Sequence, residues 1–353
     1  MKRIHLLLIV LLVPAFIFAQ KVENNEQITK NYTIGDFNSD GYTDDVAFFT
    51  QENNVATVEI FNSTGSSFYK NQIKSWASNE FNMTKTNGKI VSGDFDNDGF
   101  YDDIAAICEV GIDQTKIFVW INNEGIFEKQ IWWFGPDFNA NQVFNTIVSG
   151  GFDNDGFVDD IAAFYDYQDY TTKIFVWKSD SEKFSWPATM WYGGDFDASR
   201  IQGTLVSGDF DKDGFVDDVA AFYNYTDKAT KVFVWQSDKR NFAWPRTAYY
   251  NGNYDINKLE NNIVSGDFDR DGFVNDLVTF EMTERNEALA RLWTMQNFKL
   301  IKGETLGVFE TSQNVMLAGD FNKDNAIAEI LNVNASALKV FRTEKDYVYY
   351  PEN

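Results

Sequence analysis

An all-β, six-bladed propeller of four-stranded antiparallel blades is what this sequence predicts, and three observations predict it. An acidic stretch typified by "GDFDNDGFYDD" recurs six times at near-constant spacing. Each recurrence is followed by three short runs rich in Ile, Val, Phe, Tyr and Trp, bounded by polar turns. No part of the unit has the apolar period of a helix. A unit of four short strands cannot bury both faces of its sheet alone, so such units stack radially against their neighbours.

The copies begin at Gly35, Gly93, Gly150, Gly208, Gly266 and Gly319, with the last, "GDFNKDNAIAE", decayed from the pattern. The first strand of a unit is "IVSGDF" or its equivalent. The acidic stretch forms the hairpin into a second strand such as "DIAAFY", a third follows as "TKIFVW" or "TKVFVW", and a fourth as "KQIWWFG", "TMWYGG" or "TAYYNG". Six units fill residues 31–353, and no unit-sized stretch remains for a seventh blade. The segment "VENNEQIT" within the lead-in, residues 20–30, could add a strand to the last sheet, next to the terminal "YVYYPEN".

The second acidic stretch packs five carboxylates and two glycines into eleven residues. Two unit charges about 6 Å apart repel by roughly 3 kcal/mol at an effective dielectric near 20, so something must offset them or the segment must stay open in water. Counted from the residue after the first Gly, oxygen-bearing side chains stand at positions 1, 3, 5 and 9, with Gly at position 6. That is the order of an oxygen-lined calcium loop, in which the position-7 carbonyl also points inward and the Gly permits a sharp turn.

The first loop offers Asp36, Asn38, Asp40 and Asp44 with the Tyr42 carbonyl, and the second Asp94, Asp96, Asp98 and Asp102 with the Phe100 carbonyl. In the third, Gly151 replaces the first carboxylate and leaves Asp153, Asp155, Asp159 and the Phe157 carbonyl. The fourth offers Asp209, Asp211, Asp213, Asp217 and the Phe215 carbonyl; the fifth Asp267, Asp269, Asp271, Asn275 and the Phe273 carbonyl. The sixth has Asn325 where Gly belongs and Ala328 at position 9, and is expected to hold no ion. Paired Asp at positions 9 and 10, as in Asp102 and Asp103, leave two choices of ligand, of which position 9 keeps the spacing. An EF-hand is excluded because strands flank the loop and position 12 is Ala or Val rather than Glu. The competing reading is a solvated acidic turn without an ion; five copies that keep their oxygens while position 4 varies favour calcium.

The unit resembles the FG-GAP or VCBS repeat, the calcium-loop blade also found in the N-terminal propeller of integrin α chains, over nearly the whole chain after the leader. The resemblance implies a calcium-bearing propeller outside the cell, used for adhesion or ligand binding and usually without catalysis. It also implies metals on one face of the disc and partners on the other.

Residues 1–19 read as a secretory signal peptide: Lys2 and Arg3, an apolar run from Leu6 to Phe18 broken by Pro14, and a small residue at Ala19. The run is short of the roughly 20 residues a spanning helix needs, and no later one is long enough, so membrane insertion is not expected. A secreted or cell-surface protein follows, with a periplasmic location also open. With 44% hydrophobic and 17% aromatic residues the chain can bury a core. Its net charge of −23 argues against nucleic acid or anionic lipid as partner. The single cysteine, Cys108, lies in an apolar strand and reads as a buried thiol.

The only histidine, His5, leaves with the leader, which excludes Ser-His-Asp and Cys-His catalysis and histidine-bound zinc. A carboxylate glycosidase or lyase acting on polysaccharide is the alternative function, but no singular cluster of Arg, Tyr and Glu stands out. Trp120, Trp177, Trp235 and Trp293 close the third strands and are expected to pack between blades. Tyr165, Tyr167, Tyr223, Tyr225, Trp191, Tyr192 and Tyr250, with Arg200 as a donor, read either as rim packing or as sugar-stacking platforms opposite the metal loops. The expectation is a monomeric, non-catalytic calcium-binding module for a glycan or a cell-surface protein.

Overall fold

The computed structural model describes residues 32–342 apart from 72–74, 87, 226–228, 286, 311–314 and 335–336. The expected leader, the lead-in and the terminal "YVYYPEN" lie outside the described residues. Six antiparallel meander sheets follow one another along the chain, one for each acidic stretch. Blade one comprises β1 (Tyr32–Gly35), β2 (Asp45–Glu52), β3 (Val55–Ser63) and two short outer pieces, β4 (Phe68–Lys70) and β5 (Trp76–Ser78), both paired with β3. Blade two comprises β6 (Ile90–Gly93), β7 (Asp103–Gly111), β8 (Gln114–Asn123) and β9 (Ile126–Gly135). Blade three comprises β10 (Ile147–Gly150), β11 (Asp160–Asp166), β12 (Thr172–Trp177) and β13 (Ala188–Gly193).

Blade four comprises β14 (Leu205–Gly208), β15 (Asp218–Asn224), β16 (Thr230–Trp235) and β17 (Arg246–Asn251). Blade five comprises β18 (Leu259–Gly266), β19 (Asp276–Met282), β20 (Glu287–Gln296) and β21 (Lys299–Glu310), and blade six β22 (Val315–Gly319), β23 (Glu329–Asn334) and β24 (Ala337–Arg342). Short 3-10 turns lead from one blade to the next, at Met83–Thr86, Ala140–Val143, Ala198–Ile201 and Ile256–Lys258. The side chains of Asn139, Asp197 and Asp255 cap three of them, an element the strand-only reading did not contain.

Each innermost strand lies beside that of the next blade, and β22 lies beside β1, so the ring is closed. One backbone hydrogen bond repeats at every junction: the first residue of each acidic loop donates its N–H to the position-8 carbonyl of the following blade. The pairs are Asp36 to Tyr101 (2.8 Å), Asp94 to Val158 (3.0 Å), Gly151 to Val216 (3.0 Å), Asp209 to Val274 (2.8 Å), Asp267 to Ile327 (2.9 Å) and Asp320 to Thr43 (3.0 Å). The last returns from blade six to blade one. The glycine that opens each repeat has its reason here, since a Cβ on Gly208 would stand 2.4 Å from the Val274 carbonyl oxygen.

Core packing runs through the seams between blades. The third-strand tryptophans Trp120, Trp177, Trp235 and Trp293 are fully buried, as expected. Each meets the fourth-strand aromatic of the preceding blade edge to face: Trp76 on Trp120 at 5.5 Å, Trp133 on Trp177 at 5.3 Å, Trp191 on Trp235 at 5.7 Å and Tyr249 on Trp293 at 4.9 Å. Edge-to-face pairs of this kind contribute about 0.5–1.5 kcal/mol each beyond their buried area. The repeated Thr at the head of the third strand is buried because Thr115, Thr172 and Thr230 donate to the carbonyls of Phe138, Phe196 and Tyr254 at 2.6–2.7 Å. Cys108 is buried among apolar side chains, which pushes its thiol up to about 12.

Candidate functional site

The acidic loops fold alike because their side chains accept hydrogen bonds from their own backbone. The position-1 carboxylate takes the N–H groups of positions 5 and 6: Asp209 accepts from Asp213 and Gly214 at 3.0 Å each, and Asp36 from Asp40 and Gly41 at 2.8 Å each. Positions 3 and 5 accept from the residues two further on, as Asp213 N–H to Asp211 at 3.1 Å and Phe215 N–H to Asp213 at 3.0 Å. The position-6 glycines are left-handed, with φ of +93° at Gly41 and +96° at Gly214. The sixth loop keeps this turn: Asn325 adopts φ 70°, and its N–H donates to Asp320 at 2.7 Å.

Positions 9 and 10 have different surroundings. Position 10 is held by backbone amides that join the start of the second strand to the end of the third. Asp103 accepts from the N–H groups of Asp96 (3.1 Å) and Asn122 (2.8 Å), and Asp45 from those of Asn38 (2.9 Å) and Ser63 (2.7 Å). At position 9, Asp159 and Asp217 are buried yet each leaves an oxygen without any hydrogen-bond partner, as does Asp94 at position 1. Burial is the main cause that pushes the carboxyls of Asp44, Asp102, Asp159 and Asp217 up to about 7, and neighbouring carboxylates push the same way. Asp94 rises to about 6 for the same first reason.

Orphaned, desolvated carboxylate oxygens beside further carboxylates are a donor set of the kind a hard divalent cation takes. Oxygens of Asp94, Asp96 and Asp98 lie within 4.8 Å of one another, as do those of Asp209, Asp211 and Asp213 and of Asp267, Asp269 and Asp271. The third loop differs from the expected ligand set. A Cβ on Gly151 would stand 2.4 Å from the Phe157 carbonyl oxygen, which excludes a side chain there, and Asp160 from position 10 joins Asp153 and Asp159 within 4.8 Å instead.

Of the aromatics singled out in the sequence, Trp191 and Tyr223 are core residues, each 6% exposed in the seam between blades three and four, and cannot present a face to a ligand. Alternation along the strand explains it: Trp191 points into the seam, while its neighbour Tyr192 is 56% exposed. Tyr165 packs on Phe138 at 4.9 Å, and Arg200 is bound to Asp197 at 3.1 Å with its guanidinium over the Tyr223 ring. The exposed Tyr167, Tyr192 and Tyr250, with the half-buried Tyr225, form two matching groups at the sheet ends away from the acidic loops. In blade three the Lys173 ammonium lies 5.2 Å from the Tyr167 ring, and Lys173 pairs directly with Tyr192 across the strands. In blade four Lys231 lies 5.4 Å from Tyr225 and 5.9 Å from Tyr250.

Two exposed indoles were not anticipated. Trp186 and Trp244 are 69% and 73% exposed, just before β13 and β17, and lie over the buried Trp133 and Trp191 at 5.5 and 5.7 Å. The recurring "WP" in "SWPATMW" and "AWPRTAY" was the available signal. Both precede the outer strand at its acidic-loop end, on the other side of the blade from the tyrosine–lysine groups.

No family model matches the chain, and no curated protein matches it. Solved structures do. AofleA from Arthrobotrys oligospora is 10% identical with a TM-score of 0.51, over 91% of this chain and 86% of that one. An N224Q variant of the Aleuria aurantia lectin in complex with alpha-methyl-L-fucoside is 11% identical with a TM-score of 0.51, over 91% of this chain and 95% of that one. At this identity the likeness is one of fold, and the fold is a six-bladed β-propeller of antiparallel sheets.

Proposed function

We propose that the protein is an exported, calcium-braced propeller of the FG-GAP/VCBS kind that binds glycan without catalysis. Repetition carries the binding half: the group Tyr167, Lys173 and Tyr192 recurs one blade later as Tyr225, Lys231 and Tyr250, with Tyr167, Tyr192 and Tyr250 exposed and Tyr225 half-buried. Aromatic faces accept the C–H surface of a pyranose, and a lysine between them donates to hydroxyls or to a carboxylate. Two like sites at fixed spacing suit a repetitive surface, because weak single contacts add through multivalency. The lectin named in one similar structure was solved with a fucoside, which supports a sugar as the class of ligand.

Calcium is supported by the buried, partnerless oxygens of the acidic loops, and export by the leader-like residues 1–19. The two readings agree, since extracellular loops of this charge hold calcium with dissociation constants of about 10⁻⁴–10⁻³ M, near its concentration outside cells. The test is a glycan array probed with the mature chain, with and without calcium, alongside an assay for reducing ends released from the same glycans. Binding without release is expected. Release of sugar ends, or no bound glycan at all, overturns the reading.

A further inference from the structure

Position 4 of the acidic loop, where neutral and cationic side chains both occur with no pattern inside the repeat, has a common geometry. Ser39, Asn97, Asn154, Lys212, Arg270 and Lys323 all adopt the left-handed conformation, with φ between 56° and 64°. Four of them reach into the acidic loop of the next blade with a placed side chain. Ser39 donates to Asp102 of loop two at 3.3 Å. Lys212 pairs with Asp271 of loop five. Arg270 pairs with Asp324 of loop six at 2.6 Å and with Glu329 at 3.5 Å. Lys323 crosses the ring closure to pair with Asp40 of loop one and, at 3.6 Å, with the buried Asp44. Asn97, with its amide turned to satisfy both of its ends, donates to Asp159 of loop three at 3.0 Å.

The ring is thereby divided. Loops one, five and six each receive a cationic side chain from the preceding blade, whereas loops two, three and four stand next to the neutral Ser39, Asn97 and Asn154. A backbone feature follows the same division. In loops one, five and six the position-7 carbonyl accepts the position-9 N–H at 2.9 Å, from Asp44, Asn275 and Ala328; among the described residues loops two, three and four lack this bond, so their carbonyls of Phe100, Phe157 and Phe215 are free to turn inward. Each loop that receives a cation has also lost a carboxylate, to Asn38 in loop one, to Asn275 in loop five, and to Asn322 and Ala328 in loop six, whereas loop three, which lacks one at Gly151, brings in Asp160 instead. Loops two, three and four each retain a buried carboxylate oxygen without a hydrogen-bond partner, on Asp94, Asp159 and Asp217; in loop one the oxygens of Asp44 also accept no hydrogen bond, but there the Lys323 ammonium stands 3.6 Å away, whereas no cation from the preceding blade faces the other three.

We infer that loops two, three and four are the calcium sites, and that loops one, five and six are neutralised by the lysine or arginine of the preceding blade and bind no ion. A tethered ammonium at hydrogen-bond distance occupies a ligand oxygen and cancels one of the charges that attract a divalent cation, so both contacts and field are lost. The inference rests on the calcium reading above and refines it to particular loops.

Equilibrium dialysis of the mature chain against saturating calcium, with bound metal counted by elemental analysis, tests both. Three ions per chain are expected. Any other number overturns the division, and none at all removes the calcium reading with it. Lys212→Gln frees loop five and should raise the count by one, while Asn154→Lys places a cation against loop four and should lower it by one. Both variants must melt as cooperatively as the parent, and an unchanged count in a folded variant overturns the role of position 4. Ser39→Lys is the second loading variant should Asn154→Lys not fold, with the same loss of one ion expected from loop two.

Discussion

Trp191 of blade three meets Trp235 of blade four edge to face, with ring centroids 5.7 Å apart and planes at 81°. Phe196 closes on the same Trp235 at 5.4 Å, so the seam is an aromatic lock between blades rather than a ligand platform. Trp191→Ala should therefore cost about 3–5 kcal/mol of unfolding free energy, the range for removing a buried tryptophan. Tyr192→Ala, one residue along and exposed, should stay within about 0.5 kcal/mol. Denaturant titration of the two variants checks this, and equal effects would contradict the assignment of their faces.

A second prediction concerns ring closure. Gly208→Ala sets a methyl group 2.4 Å from the Val274 carbonyl oxygen of the next blade, so the blades must part or the hydrogen bond from Asp209 must stretch. A cost of about 1–3 kcal/mol is expected, as for overpacking elsewhere. Gly214→Ala meets nothing within 4 Å but holds φ +96°, so its cost of about 1–2 kcal/mol is backbone strain alone. Gly214→Asn should recover part of the loss, because Asn tolerates the left-handed region, whereas Gly208→Asn should recover none. Thermal melts of the four variants distinguish crowding from strain.

The third prediction follows from the raised carboxyls. Asp102, Asp159 and Asp217 hold their protons to about pH 7 in the folded, metal-free protein, against about 3.9 in an unfolded chain. Between those values the unfolded state has released protons that the folded state retains, so their contribution is complete below about pH 4 and is lost as pH rises toward 7. Metal-free protein should melt at a higher temperature near pH 5 than near pH 8. Calcium takes the ionised carboxylates, so the rise in melting temperature that it produces should be larger near pH 8. A calcium-induced shift of equal size at both pH values would contradict the prediction.

Much of the propeller could be read from the sequence because each repeat states the same pattern: apolar strands, an oxygen ladder and a glycine at the turn. What eluded it depends on contacts between repeats. Position 4 looked unconstrained because Ser39, Asn97, Lys212 and Arg270 differ in charge and size, yet each acts on the loop of the next blade, where no single-repeat pattern could show it. The opening glycine has no reason within its own repeat, because the space it leaves is filled by a carbonyl about one repeat further on. Trp191 and Tyr192 differ in a way the sequence does carry, since strand alternation requires neighbouring residues to face opposite ways, so that Tyr192 can meet a ligand and Trp191 cannot.

The last prediction separates the two exposed aromatic surfaces. The tyrosine–lysine groups and the paired indoles lie at opposite ends of the outer strands, so substitution at one leaves the other untouched. If sugars bind at the former, Tyr192→Ala with Tyr250→Ala should reduce binding on a glycan array at least tenfold, because each exposed ring offers a stacking face beside a lysine donor. Lys231→Met keeps much of the apolar stem but removes the donor, and should weaken binding while the melting temperature stays within a few degrees. Trp186→Ala with Trp244→Ala should leave binding unchanged and lower the melting temperature slightly, since those rings cover Trp133 and Trp191 at the outer seams. The reverse pattern, with binding lost only in the tryptophan pair, would move the glycan site to the acidic-loop side of blades three and four.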